Sequence, residues 1–120
     1  MRFLCLIHTA PADVAAIDAA THRQIVADHF AFDAGLEADG TMIVSEALEE
    51  PEHSLVIRRR TEGTVVTDGP FSEAKEHIGG FYLIEAADLA AAVEIASGIP
   101  SLAHSSVEVR PVRTLTLEDC

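Results

Sequence analysis

Val66-Thr67-Asp68-Gly69-Pro70-Phe71, continued by Ser72-Glu73-Ala74-Lys75-Glu76-His77 and then by Ile78-Gly79-Gly80-Phe81-Tyr82-Leu83-Ile84, is the stretch on which the fold turns. Asp-Gly-Pro closes a strand with a tight turn, because glycine tolerates positive φ and proline is locked near one value. That turn presents the Asp68 carboxylate with little freedom to wander. The apolar run from Ile78 to Ile84 predicts a strand, and its Gly79-Gly80 pair predicts a bulge or a close backbone approach.

Working outward, Phe3 to His8 is short, almost wholly apolar and bounded by Thr9-Ala10-Pro11, which predicts a central strand buried on both faces. From Asp13 to Asp39 the pattern is helical, with Ile25, His29, Phe32 and Leu36 along one face and Gly40 as the stop. Gly35 inside this helix marks a kink or a close packing contact. Thr41 to Leu48, Ser54 to Arg60 and Thr64 to Thr67 are predicted strands separated by turn-forming residues. Asp88 caps an Ala-rich helix through Ser97, and Ser106 to Val112 closes the chain's pattern as a strand.

Two strand-helix-strand units in one short chain predict a single ferredoxin-like α+β domain over residues 1–120, an antiparallel sheet with both helices on one face. The opposite face then has no cover. Because Phe3 to Ile7 and Phe81 to Ile84 are apolar on both sides of the pleat, that face is expected to be buried against a second copy, which predicts a homodimer.

The chain has 120 residues with 8 Lys and Arg against 20 Asp and Glu, a formal charge of −12. So acidic a chain is unsuited to a phosphate backbone or an anionic membrane surface, and no nucleic-acid or membrane partner is expected. No apolar run approaches transmembrane length, and the apolar run near Met1 is shorter than a signal peptide's core. Cys5 and Cys120 offer neither paired spacing nor a Cys-x-x-Cys motif, which points to a reducing cytoplasm. The scattered histidines show no metal-ligand spacing, so no metal is expected. No phosphate loop or nucleophile elbow occurs, and no cofactor is expected.

Val-Thr-Asp-Gly-Pro-Phe, then Glu73-x-Lys75-Glu76, then Gly79-Gly80-Phe81-Tyr82-Leu83-Ile84-Glu85, and finally Val107-Glu108-Val109-Arg110-Pro111-Val112 resemble the DGPF branch of the YCII-related family. The resemblance covers most of the chain and implies a dimeric α-β barrel of the ferredoxin-like type. One branch of the family includes a dehydrochlorinase of a chlorinated hydroxyquinol, and DGPF members are often encoded beside extracytoplasmic-function sigma factors. Members of the YciI type carry a His in the first helix, eleven residues before the Gly that ends it, and His29 stands at that distance from Gly40. They pair it with an Asp just before a Pro after the second helix, where this chain has Ile99 before Pro100. Either the dyad is lost, or Asp68 supplies the carboxylate from another loop.

The candidate site is therefore His29 as general base with Asp68 as its orienting partner, and His22, Pro70, Phe71 and Lys75 around a small-molecule substrate. Lys75 would aid an anionic substrate or a developing oxyanion. Each residue has a plainer reading: His29 as a core histidine on the Phe32–Leu36 stripe, Asp68 as an Asx-turn former, Lys75 as part of a solvated charged segment. Tyr82 and Phe81 are read as packing residues. The functional reading is a cofactor-free acid-base enzyme of elimination or isomerisation type. Its alternative is a non-catalytic ligand-binding or regulatory module, linked through the family resemblance to sigma-factor signalling.

Overall fold

Alternation along the first strand, β1 (Arg2–Thr9), buries Phe3, Cys5 and Ile7 on one face and leaves Leu4 and Leu6 half-buried on the other. This is one line of a computed structural model that describes residues 1–70 and 75–119; Phe71, expected at the substrate, lies outside the described residues. The elements that follow are α1 (Pro11–Ala15), α2 (Ala19–Ala38), β2 (Met42–Ala47), β3 (Leu55–Arg60), β4 (Gly63–Asp68), β5 (His77–Glu85), α3 (Leu89–Ala96) and β6 (Ser106–Pro111).

Four strands form an antiparallel sheet in the order β2-β5-β1-β6, so the ferredoxin-like α+β fold is observed with β1 and β5 at its centre. The core lies between this sheet and the helices, where Phe3, Tyr82 and Ile84 meet Leu36 of α2 and Ala92 and Ala96 of α3. Small alanines let α3 lie close to the sheet, and each buried aromatic or aliphatic side chain contributes about 1.5–3 kcal/mol. Asp88 caps α3 by accepting from the Ala91 N–H at 2.8 Å, as its position before the Ala-rich run leads one to expect.

The opposite sheet face carries Leu4, Leu6, Phe81 and Leu83, all half-buried within one chain, with Val44 exposed at β2. Within one chain the two central strands are therefore fully covered on the helix side only. No helix among the described residues is long and apolar enough to cross a membrane.

Three features differ from the sequence expectation. The first helical segment divides, because Asp18 accepts from the Thr21 N–H at 2.7 Å and caps a separate α2. Gly35 neither breaks α2 nor meets a close neighbour. Among the described residues, strands β3 and β4 pair with each other alone, in a hairpin from Leu55↔Asp68 to Arg60↔Gly63. Arg58-Arg59-Arg60 puts charge on both faces of β3, which suits a hairpin standing in solvent better than a strand packed beneath helices.

Candidate functional site

Residues four apart on a helix share a face, so His29 and Asp33 of α2 project together toward the sheet. There they meet Tyr82, which register with Cys5 and Ser45 places on the helix side of β5. Tyr82 Oη donates to Asp33 Oδ1 at 2.5 Å and lies 2.7 Å from His29 Nδ1. A carboxylate can only accept, so the single phenolic proton goes to Asp33, and the same oxygen must accept from His29 Nδ1–H. That fixes the tautomer: Nδ1 carries the proton and Nε2 keeps its lone pair. Nε2 has no partner among the described residues.

Burial pushes the His29 pKa below its ordinary value, against the smaller opposing pull of Asp33 and then Asp28. The imidazole is thus neutral at neutral pH. Tyr82 is pushed strongly upward by burial and then by the hydrogen bond to Asp33 and its charge, so it stays protonated. Phe32 holds the phenol from the side, edge-on with ring centroids 5.7 Å apart.

His29 opens on a cleft of about 400 Å³ between α2, the Gly79–Gly80 end of β5, β2 and the 3-10 turn Pro100–His104. Its walls are mainly apolar, with Ile7, Ile25, Val26 and Phe30, and its polar groups include His22, Asp33, Ser45 and Ser101. Such a shape suits a small organic ligand. Both readings of the glycine pair are seen here. The β1–β5 register shifts between Ile7 and His8, which makes room for an extra residue at Gly79, and a Cβ on Gly80 would come within 2.9 Å of the Glu46 carbonyl oxygen.

Among the expected site residues, His22 and His29 line this cleft together. Asp68 does not line it; it ends β4 opposite Leu55, exposed, beside Gly69 at φ +84, whose N–H donates to the Ser54 carbonyl at 2.7 Å. Gly69 and Pro70 bend the chain where β4 ends, and among the described residues the carboxylate that reaches His29 is Asp33, through Tyr82. Pro70 borders a different cavity, at the base of the hairpin with His8, His53 and His77, and Lys75 is exposed and lines neither. Ile99, at the position where YciI-type members carry Asp, is buried in the core beside Phe32 and Leu36. Among the described residues no group of three or more His, Cys, Asp or Glu side chains is placed to hold a metal.

Sequence reasoning missed Asp33, Tyr82 in its polar role, and Ser101. The spacing of four between His29 and Asp33 was the available signal; the meeting with a strand residue 49 positions beyond Asp33 carried none.

An uncharacterised protein of Rhizobium meliloti (strain 1021) is 43% identical over 58 residues, which is 47% of this chain and 47% of that protein. The chain's match thus spans about half the length of that relative. The YCII-related domain matches residues 1–116, nearly the whole chain and all the elements that build the cleft, and the chain belongs to the YCII-related family.

Proposed function

We propose that this chain is a homodimeric, cofactor-independent acid-base enzyme acting on a small organic substrate by elimination or isomerisation, with His29 as general base. The hydrogen-bonded series Asp33–Tyr82–His29, ending in a free neutral Nε2 beside an apolar-walled cleft, carries this reading. In the proton-abstraction step, Nε2 takes a proton from an activated substrate carbon, and the C–H electron pair forms a double bond as a leaving group departs or a carbonyl enolises. The imidazolium so formed is stabilised through Nδ1–H by the Tyr82 oxygen, which Asp33 keeps electron-rich. Tyr82 and Asp33 are positioning residues; His29 alone touches the substrate proton. Asp33 thus takes the place that the sequence offered to Asp68.

Deuterium exchange at the α-carbon of cyclohexanone and 2-chlorocyclohexanone, followed by proton NMR in D₂O, tests the chemistry. General base catalysis is worth about 10²–10⁴-fold, so His29→Ala should lose at least 100-fold of the protein-dependent exchange. Exchange that is equal in wild type and His29→Ala contradicts the proposal. In that case the apolar cleft favours the second reading, a ligand-binding module that does not react with what it holds.

The dimer is supported by Leu4, Leu6, Phe81 and Leu83, which form a continuous apolar strip on the sheet face away from the helices. Light scattering should give twice the mass of one chain; a stable monomer contradicts it. The buried free thiol of Cys5 supports a cytoplasmic setting.

A further inference from the structure

Ser101 Oγ is the buried side-chain polar atom that the described residues leave without a hydrogen-bond partner, and Ser101 lines the same cleft as His29. A hydroxyl taken out of water and left unpaired costs free energy, and because Ser101 stands in the cleft wall, a change of its χ1 rotamer is what would bring this hydroxyl to a molecule in the cleft. The 3-10 turn that carries it packs on α2, and Ser105 Oγ donates to the Ser101 carbonyl at 2.8 Å, which holds the backbone while leaving the side-chain hydroxyl uncommitted.

The charges of the cleft narrow what that contact is for. No Lys or Arg is among its lining residues. Its interior carboxylate, Asp33, is already engaged by Tyr82. Glu46 borders the cleft from β2, but register with Phe81 and Leu6 puts its side chain on the other sheet face. An anion would meet the Asp33 carboxylate with no Lys or Arg in the lining to offset it, and a cation would find there a single carboxylate whose charge is already shared with the Tyr82 phenol.

We propose that the cleft takes an uncharged, mainly apolar molecule bearing a hydrogen-bonding group, and that Ser101 Oγ binds that group as a specificity-determining contact. This rests on reading the cleft as the ligand site, and it names the class of molecule that the site admits. It also sets aside the anionic substrate that an exposed Lys75 was expected to serve.

Four size-matched probes test it: benzyl alcohol, toluene, benzoate and benzylammonium, each titrated into the ¹⁵N-labelled protein with the amides of Gly79, Gly80 and Tyr82 as reporters. Benzyl alcohol should bind at least about tenfold more tightly than either ion, the scale of one uncompensated polar contact. Ser101→Ala should weaken benzyl alcohol about five- to tenfold while leaving toluene within about twofold, the loss of one hydrogen bond. Ser101→Thr, which keeps a hydroxyl, should restore alcohol binding. Ser101→Ala should also fold at least as stably as wild type in the absence of ligand, because it removes an unpaired hydroxyl. Benzoate or benzylammonium binding as tightly as benzyl alcohol overturns the inference, as does Ser101→Ala binding that is unchanged for the alcohol or equally weakened for toluene. Failure of all four probes to perturb the cleft amides overturns the ligand-site reading as well. Binding as described with no His29-dependent deuterium exchange contradicts the catalytic proposal alone.

Discussion

Tyr82 gives its phenolic proton to Asp33 Oδ1 at 2.5 Å, and that one commitment leaves its oxygen able only to accept from His29. Tyr82→Phe removes both contacts while keeping the ring against Phe32. The loss of a hydrogen bond to a charged group should destabilise the chain by about 1–3 kcal/mol in urea unfolding, with Asp33 left to find water. Exchange activity should fall through kcat with little change in KM, because the phenol orients the base and does not touch the substrate. A Tyr82→Phe protein with unchanged kcat would remove the phenol from the account.

Stability should carry the signature of His29. Its folded-state pKa is held below the ordinary value of about 6.5 by burial, so the unfolded chain binds a proton that the folded chain refuses. The unfolded state then holds more protons between the two pKa values, and stability must fall as pH falls through that window and be complete above it. Urea midpoints for wild type and His29→Gln at pH 7.5 and 5.5 check this. The wild type should lose more of its midpoint on acidification than the variant, and the opposite order would mean a raised His29 pKa.

Asp33 and Asp68 are separable by titration. Removing the Asp33 charge takes away an interaction that favours protonated His29, so Asp33→Asn should lower the His29 pKa further. Asp68, exposed at the end of β4 and outside the cleft lining, should leave it unmoved when changed to Asn. An NMR titration in which Asp68→Asn shifts His29 and Asp33→Asn does not would return the pairing to the Asp-Gly-Pro turn.

Gly80 is required by a close approach. A Cβ there would stand 2.9 Å from the Glu46 carbonyl oxygen, a backbone atom that cannot rotate away. Gly80→Ala should therefore displace β2 from β5 and cost about 1–3 kcal/mol, the usual range for an inserted methyl in a packed site. Because β2 forms a wall of the cleft, benzyl alcohol binding should weaken with it. Wild-type stability in this variant would show that β2 yields freely.

Most of the fold is legible in the sequence because its strands and helices announce themselves locally. Phe3, Cys5 and Ile7 alternate, Asp88 stands before its Ala-rich helix, and the Gly79-Gly80 pair marks both a bulge and a close approach. The division at Asp18 was harder to see, since a cap within a helical pattern competes with the pattern itself. The site was half legible. His29 and His22 lie in the cleft as their helix face implies, but the motif that catches the eye, Asp68-Gly69-Pro70, shapes a hairpin end instead. Tyr82 read as packing because it does pack, at 3% exposure; its second role depends on a tertiary meeting with Asp33 that no local pattern encodes.

The central claim is that His29 is a neutral base presenting Nε2 to the cleft, with Nδ1–H given to Tyr82. Nitrogen-15 chemical shifts of the His29 ring at neutral pH measure this directly, because the protonated and unprotonated ring nitrogens of a neutral imidazole resonate far apart. The account predicts the Nδ1–H tautomer in wild type and a mixture of tautomers in Tyr82→Phe. A wild-type ring that is the Nε2–H tautomer, or is doubly protonated at pH 7, would contradict it.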